Sequence, residues 1–129
     1  MKSPNIGDTN AALDDATEAW EKIVADNPES QIILSGDSAG GGLSLALMMR
    51  LRDEGFRLPD AAVLFSPWTD LTCSSQTYKT LAKAEPMIHS SIPNHCAGHY
   101  VPDTVDRKDP FVSPMFGDFK GLPRTLILV

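Results

Sequence analysis

Residues 31–51, QIILSGDSAGGGLSLALMMRL, constrain this chain more than any other stretch. A short apolar run over residues 31–34 meets a glycine-rich hinge, Gly36-Asp37-Ser38-Ala39-Gly40. A long segment of good helix formers with an apolar face follows. Strand, tight turn and helix, with a serine at the apex, form the context that a G-x-S-x-G nucleophile elbow requires. Gly36 and Gly40 are expected to carry the backbone through a sharp, strained bend without a Cβ clash. Such a bend lifts the Ser38 hydroxyl out of the sheet and sets the N-terminus of the following helix beneath it. The Ala39 N–H then points to where negative charge develops on a carbonyl oxygen under attack, and the helix dipole has the favourable sign there.

Two other chemistries share the pattern. A glycine-rich strand-to-helix turn can cradle a phosphate, but the loop holds no Lys or Arg and no second glycine pattern accompanies it. Trypsin-like proteases carry a similar run around their serine, but they are all-β barrels, and residues 42–54 read as helix. The 129 residues allow one domain, large enough to bury roughly two thirds of its unfolded surface. Eleven basic residues against 17 acidic ones leave a net charge of −6, which disfavours nucleic acid as a partner. Cys73 and Cys96 have neither metal-ligand nor redox spacing and read as reduced thiols of a cytoplasmic protein, with one disulfide as the alternative.

Residues 1–8 are polar, carry Pro4 and Gly7, and read as a loose leader without the apolar core of a signal peptide or membrane anchor. No apolar run approaches the length of a membrane span. Asp8 or Thr9 is expected to cap a helix running to about Asn27, with Leu13, Ala16, Trp20, Ile23 and Val24 as its apolar stripe. The elbow strand, rich in β-branched residues, is expected to be fully buried. The elbow helix is predicted over residues 39–54, stopped by Gly55, with Leu43, Leu47 and Leu51 on one face and Gly41, Gly42 and Ser44 allowing close approach to the sheet. A second strand is predicted over residues 61–65, short helices over 75–83 and 91–100, loop over 102–114, and a third strand from Thr125. This alternation implies an α/β fold with a parallel sheet and right-handed crossovers.

GDSAGGG after an apolar strand resembles the hormone-sensitive-lipase-like branch of the α/β-hydrolase esterases. Four further stretches resemble the same family in the same order: Ala11-Ala12-Leu13-Asp14-Asp15-Ala16, Ser66-Pro67-Trp68-Thr69-Asp70-Leu71, Asp109-Pro110-Phe111-Val112-Ser113-Pro114 and Gly121-Leu122-Pro123. The resemblance covers residues 11–129 and implies a partial α/β-hydrolase domain in which residues 74–100 contribute part of a cap over the acyl pocket. It implies Ser38 as nucleophile, the Ala39 N–H as an oxyanion donor, and Gly36, Asp37 and Gly40 as the elbow around them. Asp37 is expected to brace the loop through backbone hydrogen bonds. Trp68 is either a pocket-lining or a packing residue. The implied partner is a small-molecule carboxylic ester, cleaved through an acyl-enzyme without metal or cofactor.

The family's His-Gly-Gly oxyanion motif, triad acid and histidine are not matched. The order in such enzymes is serine, acid, histidine, and the acid is expected beyond the strand that starts at Thr125. His89, His95 and His99 precede that position and read as surface or cap residues; Asp70 and Asp109 read as loop-bracing residues. The sequence thus looks like the middle of a hydrolase. Without a base to take the serine proton, the isolated chain is expected to be close to inert, and its open sheet edges are expected to promote self-association. The competing reading is a catalytically dead small-ligand-binding protein of the same fold.

Overall fold

The computed structural model describes residues 11–88 and 91–129. Three parallel strands, β1 (Ile33–Asp37), β2 (Ala61–Phe65) and β3 (Arg124–Leu128), pair in sequence order. The register aligns Ile33, Ala61 and Arg124 at one end of the sheet and Asp37, Phe65 and Leu128 at the other. Helix α1 (Ala11–Asp26) precedes β1, and α2 (Ala39–Glu54) leaves it after a single residue. The region between β2 and β3 holds α3 (Thr77–Thr80), α4 (Ile92–Tyr100) and a 3-10 turn at Pro114–Phe116. The Asp8 or Thr9 cap expected for α1 lies outside the described residues, as does His89.

α2 is the centre of the molecule. Leu45 and Met48 pack on Ala62 and Leu64 of the sheet, while Ala46, Leu47 and Leu51 pack on Leu13 and Trp20 of α1. Apolar residues all round the helix are what burial between two partners demands. Gly55 ends it with φ 76°, its N–H and that of Phe56 turning back to the carbonyls of the last turn, the left-handed close that glycine adopts without penalty. On α1, Leu13 and Trp20 are buried as expected, but Ile23 is 45% exposed, and Thr17 joins the buried face by donating its hydroxyl to the Leu13 carbonyl.

Two expectations are corrected. The elbow strand begins at Ile33 rather than Gln31 and runs through Gly36 and Asp37, because both pair with β2. Nor is that strand fully buried: its residues alternate, and Ile33 is 63% exposed. α2 covers the face that carries Leu34, Ala62 and Leu64. The opposite face, with Ile33, Phe65, Leu126 and Leu128, is uncovered among the described residues. No helix among them is long and apolar enough to cross a membrane.

Candidate active site

Ser38 is the single residue between β1 and α2, and it is exposed. Its backbone has φ 52° and ψ −117°, a conformation that costs a side-chain-bearing residue about 1–3 kcal/mol and persists only where the surroundings impose it. Here they do. The Ser38 N–H donates to the Phe65 carbonyl at 2.9 Å, and its carbonyl accepts from Gly41, Gly42 and Trp68 N–H at 3.1, 3.2 and 2.8 Å. A serine at the start of a helix ordinarily turns its hydroxyl onto the first-turn amides. In this geometry the carbonyl does that holding, and Oγ makes no capping bond. The hydroxyl is thereby left free for other chemistry.

The glycines divide into two groups. A Cβ on Gly36 would lie 2.3 Å from the Gly40 carbonyl oxygen and 2.6 Å from Ser44 Oγ, so α2 can crowd the end of β1 only with glycine there. A Cβ on Gly41 would lie 2.7 Å from Pro67, and one on Gly42 would lie 2.2 Å from the Trp68 carbonyl oxygen. The expectation that Gly40 relieves a clash is corrected: a Cβ there meets nothing within 4 Å. The close approach of Gly41 and Gly42 is chiefly to the turn after β2 rather than to the sheet. That turn, Ser66-Pro67-Trp68, is the buttress of the elbow.

Ala39 opens α2, so its N–H is one of the orphan donors of a helix N-terminus, and no partner for it is found among the described residues. Beside it lies an apolar pocket of about 320 Å³, reached by Ala39, Gly40, Leu43, Trp68, Cys96 and Tyr100. Ser38 itself is not part of that lining; its two successors are. Trp68 therefore faces the pocket while its indole N–H donates to the Asp70 carbonyl at 2.9 Å. Burial pushes the Tyr100 phenol up from its ordinary pKa, as an apolar wall should.

Two motifs far apart in sequence close the pocket from below. Ser113, fully buried, accepts the Leu71 N–H on its hydroxyl at 2.9 Å, and the Met115 N–H donates to the Thr69 carbonyl. Leu71 and Val112 then pack on Ala97 and Val101 of α4.

The α/β hydrolase fold family matches residues 8–129. The chain belongs to that family. Hormone-sensitive-lipase-family esterases are among the proteins similar to it. An acetyl-hydrolase of Streptomyces hygroscopicus is 39% identical over 92% of this chain and 40% of its own length. An esterase of Acinetobacter venetianus is 34% identical over 92% of this chain and 39% of its own length. Among solved structures, EstE5 is 41% identical with a TM-score of 0.85 over 91% of this chain and 40% of its own. The hormone-sensitive-lipase homologue EstE7, from a metagenome library, is 34% identical with a TM-score of 0.86 over 98% of this chain and 43% of its own. The chain thus spans about two fifths of the length of the relatives it matches.

The remaining residues singled out in the sequence fall into place around the elbow. Asp37 is exposed, and its carboxylate receives no hydrogen bond among the described residues; its backbone pairs with Phe65 in the sheet. Asp70 is the true brace. Burial works to raise its pKa, but hydrogen bonds from the hydroxyls and N–H groups of Thr72 and Ser74 outweigh it and hold the carboxyl below the ordinary range. Asp109 similarly accepts the Phe111 N–H at 2.8 Å. His95 and His99 sit on α4 against each other, and no histidine bonds to Ser38 among the described residues. Cys73 and Cys96 are free thiols. Sequence reasoning set residues 74–100 over the pocket but did not single out Cys96 and Tyr100 there, nor Val112, because residues 69–114 carry no clear periodicity; only tertiary packing brings them together.

Proposed function

We propose that this chain carries the nucleophile-bearing part of a carboxylic ester hydrolase acting through an acyl-enzyme. Ser38 Oγ attacks the ester carbonyl, the Ala39 N–H stabilises the developing oxyanion, and the apolar pocket next to Ala39 and Gly40 receives the acyl group. The observation that carries this reading is the forced backbone of Ser38, which frees its hydroxyl at the mouth of a helix whose first N–H has no other partner among the described residues. The similarity to an acetyl-hydrolase and an esterase supports short acyl groups. No group that could take the Ser38 proton touches it among the described residues, and the reading assigns the base and its orienting acid to a longer parent protein, as the chain spans about two fifths of its relatives' length.

In the parent protein, with a p-nitrophenyl short-chain ester, Ser38→Ala is expected to lower turnover by about a million-fold, as removal of a triad serine does. A fluorophosphonate should label Ser38 and no other residue of the segment. The 129-residue chain alone is expected to show no turnover above that of its Ser38→Ala variant. Full activity of Ser38→Ala in the parent would overturn the assignment.

A further inference from the structure

α4 carries two histidines that ester hydrolysis does not use. His95 and His99 stand one helical turn apart, the spacing that puts side chains on one face, and both are exposed. Their Nε2 atoms are 3.2 Å apart, with ring centroids 4.5 Å apart and planes at 87°. Among the described residues the two Nε2 atoms find only each other. The geometry points to a two-nitrogen chelate for a late first-row divalent metal ion, clipped across one turn of α4.

Metal–imidazole bonds are about 2.0–2.1 Å. Two such bonds at right-angled to tetrahedral separation place their nitrogens roughly 2.9–3.4 Å apart, and the pair already sits in that interval. Binding requires the proton between the two rings to move to Nδ1 of its own ring, freeing both Nε2 lone pairs, and a small turn of one ring. No group of three or more His, Cys, Asp or Glu donors exists among the described residues, so water completes the coordination sphere. Two imidazoles without a carboxylate select nickel, copper or zinc over magnesium or calcium, which prefer oxygen. The consequence is local: α4 presents Cys96 and Tyr100 to the pocket and Ala97 to the core beneath, so a clip between turns stiffens one wall of the candidate acyl site.

The test titrates the full 129-residue chain with nickel(II) chloride by calorimetry, with magnesium chloride as the comparison. One nickel per chain at micromolar affinity is expected, with at least a tenfold loss in His95→Ala, the same loss in His99→Ala, and no heat of binding for magnesium. Cys96→Ser should bind as the unsubstituted chain does, and far-UV circular dichroism of each variant checks that the helix content is kept. Equal nickel affinity in both histidine variants would mean a hydrogen-bonded pair only and would overturn the proposal. Loss of binding in Cys96→Ser would overturn it too, by assigning the metal to the thiol.

Discussion

At the scale of single residues, the elbow is a problem of space and of one forced dihedral. Gly36 and Gly42 each stand where a methyl group would drive into backbone carbonyl oxygen, at 2.3 and 2.2 Å. Gly36→Ala and Gly42→Ala should each lower stability by about 1–3 kcal/mol, since fixed backbone cannot make room. Gly40→Ala should be neutral or stabilising by up to about 1 kcal/mol, because the space is open and alanine favours the helix. Urea midpoints for the three variants check this ordering. Asp70 gives a pH prediction. Its folded pKa is lowered, so the stability it contributes is present above the ordinary carboxylate range and is lost as pH falls through its depressed folded value. In Asp70→Asn the part of the acid-side decline due to this group should vanish, seen as a shallower fall of the melting temperature with acidification.

Elements in this protein are positioned by each other more than by propensity. α2 runs between sheet and α1, and the turn after β2 is tied to Ser38 through the Trp68 N–H and crowds the first residues of α2 through Pro67. The loop before β3 is tied back by Arg52, whose guanidinium donates to the Asp118 and Lys120 carbonyls. The pocket floor depends on one hydroxyl. Ser113→Ala would leave the buried Leu71 N–H without its acceptor, at a cost of about 1–3 kcal/mol. The accompanying loss of order in residues 69–72 should appear as faster amide exchange there, with α1 unaffected.

For the whole molecule, the decisive feature is the sheet face that no element covers among the described residues. Ile33, Phe65, Leu126 and Leu128 are each at least 44% exposed and share that face by register. Contiguous exposed apolar surface of this kind promotes association, and an unpaired strand edge adds to it. The isolated chain should sediment as concentration-dependent oligomers, and Leu126→Glu, in the middle of the face, should raise the monomer fraction. A monomer at every concentration in the unsubstituted chain would show that the face is not sticky. Relatives more than twice as long as this chain supply the matching proteins.

The sequence alone determined the order β1, α2, β2, the bounds of α2 and β2, the glycine close at Gly55 and the place of Ser38 at the apex, because glycine punctuation and hydrophobic period are local properties. It also carried the family resemblance through motifs in the right order. Only the tertiary structure decided that Gly40 is not held by space and that Gly41 and Gly42 are held by the turn after β2 rather than by the sheet, since the atoms that crowd those two come from another segment. Likewise, it alone showed that the Ser38 carbonyl rather than its hydroxyl anchors the turn, that Ser113 supports Leu71, and which sheet face lies open. Each of those facts depends on groups brought together by strand pairing and helix packing, Pro67 and Trp68 on the elbow and Leu71 on Ser113 being partners that lie far apart in the sequence.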